Sequence, residues 1–188
     1  MYIENPLFDV DSYKASHFKQ IPADLKAMFS YIESRGGKYK KTVFFGLQYI
    51  LKNFMSVRIT HEHVDEAVEF YALHGVPFPE AQFRRIVDVH GGCWPVEIRA
   101  VREGSVIPAH NALMTVETTD EECPTVGGWL ETLLLRVWYP ITVATQSYES
   151  KLLIRRFMQH TCDTTDGLMF KLHDFGCRGV SSYETAAI

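Results

Sequence analysis

The chain has 188 residues, 46% of them hydrophobic and 22% charged, with a net charge of -4, a profile that fits one folded domain or one domain plus part of another. That length can bury a real core, and the acidic balance argues against nucleic-acid binding as the main role, which calls for a basic surface.

Cys93, Cys123, Cys162 and Cys177 lie far apart without C-x-x-C spacing, so neither a zinc site nor a disulfide framework is expected, and reduced thiols in a cytoplasmic protein are the default. The opening Met1-Tyr2-Ile3-Glu4-Asn5-Pro6 carries no leader pattern, and no apolar run reaches the roughly 18 residues that cross a bilayer. In chain order, Asp11 is placed to cap a short helix through Ser12, Tyr13 and Lys14 to His17 or Phe18, closed by Pro22. An acid, a phenol and an amine so close together can orient a small polar ligand; a capped surface turn explains them equally well.

Residues 25–35 alternate Phe29, Tyr31 and Glu33 with Met28, Ser30 and Ile32, the period of a strand, which Gly36-Gly37 ends. Arg35 with Lys38, Lys40 and Lys41 makes a basic loop that suits phosphate or plain solvent. Residues 42–55 are predicted helical and largely buried. Thr60 caps a second helix to about His74, stopped by Gly75, and residues 79–90 form a third, stopped by Gly91-Gly92. His61 and His63 diverge by roughly 200° on such a helix, so they do not chelate a metal together. From Pro95 the period changes to two, predicting a small antiparallel sheet from residues 96–101 and 113–118. Residues 125–138 read as a buried or interface helix broken at Tyr139-Pro140, followed by a long helix over 142–160 with Leu152, Leu153, Phe157 and Met158 inward.

The last stretch, residues 168–184, is the richest in chemistry. It reads as a short buried strand, a glycine turn and a helix start, with Ser181 and Glu184 as a capping box. Such a turn suits an anion: Arg178 offers a fork of donors, Gly176 and Gly179 admit a ligand close to the backbone, and Phe175 offers a flat ring. Core packing for Phe175 and an ion pair of Arg178 with Asp174 or Glu184 are the plainer readings. A strand and helix with no strand after them cannot complete a parallel sheet, so a further element is expected beyond residue 188.

Five motifs in order, Asp11-Ser12-Tyr13-Lys14 with His17, Tyr31-x-Glu33-x-Arg35, Thr42-Val43-Phe44-x-Gly46-Leu47-Gln48-Tyr49, Trp138-Tyr139-Pro140-Ile141-Thr142-Val143-Ala144-Thr145, and Lys171-Leu172-His173-Asp174-Phe175-Gly176-x-Arg178-Gly179, closely resemble the nicotinamide phosphoribosyltransferase family. The resemblance implies a glycosyltransferase (pentosyltransferase) that moves the phosphoribosyl group of phosphoribosyl pyrophosphate onto nicotinamide for NAD biosynthesis, in a head-to-tail homodimer. Carried over, Phe175 stacks on nicotinamide and Tyr13 closes the other face from the second subunit. Arg178 and Arg35 meet phosphate, and Asp11 lies beside the tyrosine. It also implies magnesium and ATP for the full-length family. The carboxylate, phosphorylated histidine and most phosphoribosyl contacts fall beyond this chain, which has no catalytic or metal residue of its own and is expected to be inactive alone. The expected fold is an α+β N-terminal domain over residues 1–165, running at 166–188 into the first strand and helix of an incomplete α/β barrel. A nicotinate phosphoribosyltransferase fragment is the nearer alternative, disfavoured because Gly179 stands where that family places a second arginine. A non-catalytic dimerisation module is the other.

Overall fold

Two short 3-10 turns, Pro6–Phe8 and Ser12–Lys19, precede the first strand in the computed structural model, which describes residues 4–188. Met1-Tyr2-Ile3, read above for a leader, lie outside the described residues. The period-two stretch becomes β1 (Phe29–Glu33) as expected. Residues 42–55 depart from expectation: Thr42 and Val43 belong to β2 (Lys41–Val43), and the helix begins only at α1 (Leu47–Ile50), continuing as a π turn over Leu51–Met55. Gly46 explains the break. Its φ is +102°, and a Cβ there would lie 2.3 Å from Pro140 Cγ, so the chain turns sharply where only glycine fits against the later helix.

α2 (His61–His74) starts as read: Thr60 Oγ1 accepts from the His63 N–H while His63 Nδ1 accepts from the Thr60 N–H, both at 3.3 Å, a reciprocal cap. α3 (Glu80–His90) ends at Gly91. β3 (Val96–Ala100), β4 (Val106–Pro108) and β5 (Ala112–Thr118) follow. β5 runs antiparallel between β1 and β3, with Tyr31 opposite Thr115 and Ile98 opposite Val116, while β2 and β4 pair separately. The buried stretch after residue 125 is two turns, α4 (Val126–Trp129) and α5 (Glu131–Leu135). Pro140 does not break the chain there. It sits third in α6 (Trp138–Thr161), inside the first turn, where a helix has no partner for the N–H that proline lacks.

Two apolar cores result. Leu7, Val64, Tyr71, Phe83, Ile86 and Trp129 fill the space under α2, α3 and α4. Trp129 meets Tyr71, Phe78 and Phe83 edge-on at centroid distances of 5.9, 5.8 and 4.7 Å, and Phe78 stacks between Tyr71 and Phe83. Phe44, Leu47, Met114, Leu130, Leu134 and Ile141 seal the sheet against α1, α5 and the start of α6. The distal half of α6 departs from expectation: Met158 is buried, but Leu153 and Phe157 are exposed.

The α+β expectation holds, and the strand expected at 168–174 does not form. Residues 168–170 make one 3-10 turn, Gly176–Gly179 another, and α7 (Tyr183–Ala187) follows. No strand among the described residues lies beside this run to take its backbone N–H and C=O groups, and an unpaired run gains nothing by extending. Its Met169, Phe170 and Leu172 are exposed rather than buried.

Candidate functional site

Arg35 follows β1, and the glycine pair after it turns the chain so that its basic loop faces the start of α6. Between them lies a cavity of about 410 Å³, lined by Arg35, Lys38, Lys41, Trp138, Thr145 and Gln146 among others. Neither Arg35, Lys38 nor Lys41 forms an ion pair among the described residues, and Lys38 and Lys41 instead lie over the rings of Tyr39 and Tyr148. Trp138 is 63% exposed. Thr145 Oγ1 donates to the Ile141 carbonyl at 2.6 Å and accepts from the Val43 N–H at 2.9 Å, pinning β2 to α6. The buried Thr42 Oγ1 beside it has no partner among the described residues. A pocket of ligand size with unneutralised cations and aromatic faces is built for an anion attached to a flat or apolar group. The basic loop was visible in the sequence. That Trp138 and Gln146, more than 95 residues later, join it was not.

Asp11 and Tyr13 lie at and just inside the start of the Ser12–Lys19 turn. Asp11 occupies the N-cap position but does not cap; its carboxylate accepts from Thr132 Oγ1 at 2.9 Å. Tyr13 turns outward, 58% exposed, with the His17 ring at 5.2 Å.

Phe175 and Arg178 share the Gly176–Gly179 turn. Phe175 is 76% exposed, with His173 as its ring neighbour at 6.4 Å, so core packing is not its role in this chain. The ion pairs offered for Arg178 are also absent: Asp174 accepts from the Gly176 N–H, and Glu184 accepts from the Tyr49 hydroxyl at 2.6 Å. Neither glycine has a positive φ, and space beside Gly179 is open. The helix cap lies one residue later than read, with Ser182 Oγ accepting from the Thr185 N–H at 3.1 Å. Among the described residues no hydrogen bond, ion pair or ring contact joins the Tyr13, Arg35 and Phe175 groups, so each is presented separately.

One charge network, centred on the buried Asp120, lies apart from these groups. Asp120 accepts from Arg85 Nε at 2.8 Å, pairs with His90 Nε2 at 2.6 Å and accepts from the Glu122 N–H. The Arg85 guanidinium above all, helped by His90, holds its carboxyl well below the usual carboxylate range. It ties α3 to the loop before α4 and is structural. Among the described residues no group of three or more His, Cys, Asp or Glu side chains could hold a metal, and no helix is long and apolar enough to cross a membrane.

Residues 5–98, half the chain, match the family model described as nicotinamide phosphoribosyltransferase, N-terminal domain. The nicotinamide phosphoribosyltransferase of Xanthomonas campestris pv. campestris is 55% identical over all 188 residues, which cover 40% of that protein. Those of Acinetobacter baylyi and Mycoplasma genitalium are each 26% identical, over 97% and 96% of this chain and 40% and 45% of their own lengths. The chain thus spans less than half the length of these curated relatives. It belongs to the nicotinamide phosphoribosyltransferase family, whose N-terminal domain it carries.

Proposed function

We propose that this chain supplies the N-terminal part of an enzyme that transfers the phosphoribosyl group of phosphoribosyl pyrophosphate to nicotinamide, releasing nicotinamide mononucleotide and pyrophosphate for NAD salvage in the cytoplasm. The observation that carries the reading is the 55% identity along the whole chain, a match that spans every residue assigned to substrate. Residues 1–165 form the N-terminal domain and 166–188 lead into the remaining α/β unit.

The transfer breaks the bond from ribose to pyrophosphate and makes one to the pyridine nitrogen, so negative charge grows on the departing group. Arg178 and Arg35, neither of them ion-paired with a carboxylate among the described residues, counter that charge. Phe175 stacks on the nicotinamide ring, and Tyr13 from a second copy closes its other face, removing water from both sides. This fits the two rings being exposed on separate elements of one chain. Asp11 lies beside Tyr13 in the same site. The resemblance implies magnesium and ATP for the full-length family; among the described residues no group of three or more His, Cys, Asp or Glu side chains could hold the metal.

Nicotinamide mononucleotide formation from nicotinamide and phosphoribosyl pyrophosphate tests this. The 188-residue chain alone is expected to make none, and a polypeptide of the relatives' length carrying it is expected to turn over. Turnover by the short chain would overturn the division of the site, and a silent long polypeptide would overturn the activity.

A further inference from the structure

The segment that carries Tyr13 is gripped at three points by one short helix. Arg136, at the end of α5, donates to both Asp9 carboxylate oxygens, Nη1 to Oδ2 at 2.5 Å. Thr132 Oγ1 accepts from the Asp11 N–H at 3.1 Å and donates to Asp11 Oδ2 at 2.9 Å, holding backbone and carboxylate together. Glu131 pairs with Lys14, whose side chain is only 4% exposed and whose ammonium lies over the Tyr13 ring, 5.3 Å from its centroid. Residues 9, 11 and 14 are thus all drawn onto α5 while Tyr13, between them, points to solvent. Surface ion pairs alone add little. Here the grip acts on a backbone N–H and a buried lysine, so it constrains where the phenol ring stands.

We propose that Thr132, assisted by Glu131 and Arg136, is a positioning residue that presets the Tyr13 ring before ligand arrives. Stacking then does not have to order the segment at the moment of binding. The inference rests on the reading above, in which Tyr13 closes on nicotinamide.

Thr132→Val removes donor and acceptor at nearly constant volume, and Thr132→Ser restores the hydroxyl. In the 188-residue chain the Asp11 amide is expected to exchange slowly in wild type and Thr132→Ser, and at least about tenfold faster in Thr132→Val, as befits losing its acceptor. Equal exchange in all three overturns the grip. In the long polypeptide, Thr132→Val is expected to raise the nicotinamide KM about tenfold, the size of one hydrogen bond to a charged group, with kcat within about twofold and Thr132→Ser near wild type. Arg136→Met breaks the grip at another point and is expected to move KM the same way, which covers the case in which Thr132→Val folds poorly. A wild-type KM in both variants overturns the positioning role. A wild-type polypeptide that makes no product instead overturns the proposed function, and the exchange result tells the two failures apart.

Discussion

Trp129 and Phe175 are both large aromatic residues beside glycines, and the fold treats them oppositely. Trp129 is buried among Tyr71, Phe78 and Phe83, while Phe175 stands 76% exposed on a turn. The first holds α2, α3 and α4 together. The second contributes little to this chain's own packing, and its neighbours Met169, Phe170 and Leu172 are exposed as well. A ring that the chain leaves uncovered is one that remains available to a ligand or another polypeptide, and the same holds for Tyr13. The difference separates residues that make the fold from residues that the fold displays.

Mutation should bring that separation out sharply. Trp129→Ala removes a buried indole and is expected to cost about 4 kcal/mol in urea unfolding, whereas a loss below about 1 kcal/mol would mean the aromatic cluster is not the anchor. Gly46→Ala forces a β-carbon against Pro140 in a left-handed backbone, and about 3 kcal/mol is expected to be lost, read by the same titration. Asp120 gives a pH-dependent version. Its folded pKa lies below the unfolded value of about 3.9, so its stabilisation is complete at neutral pH and drains away as pH falls below about 4 toward the folded value. Asp120→Asn should lower the unfolding midpoint at pH 7 and flatten its further decline in acid; an unchanged acid slope would remove Asp120 as the cause. At the small end, Phe175→Ala is expected to shift unfolding by less than about 0.5 kcal/mol while abolishing nicotinamide turnover in the long polypeptide. A large stability loss there would erase the contrast.

Local chemistry was well read from the sequence wherever a few adjacent residues decide. The cap at Thr60 and His63, the glycine stops at Gly75 and Gly91, and the alternation of β1, β3 and β5 each depend on neighbours within a turn or a strand. The errors share another cause. Leu168, Phe170 and Leu172 alternate like a strand, yet a strand exists only with a partner, which the described residues do not include. Pro140 looks like a breaker, yet at the third position of α6 it costs no hydrogen bond. The extent of α6 exposure at Leu153 and Phe157 likewise depends on what packs there, not on periodicity.

For the site, five motifs in order carried the family resemblance, and it is the resemblance that nominated Asp11, Tyr13, Arg35, Phe175 and Arg178. Their arrangement needed the third dimension. The pairing of Asp9 with Arg136 and of Asp11 with Thr132 spans over 120 residues, and the Arg35 cavity closes only when α6 packs across β2. Sequence alone nominated these side chains, through the family its motifs resemble. Tertiary packing decided which of them are held fast and which are left open, since burial and long-range hydrogen bonds are properties of the assembled chain and of no segment within it.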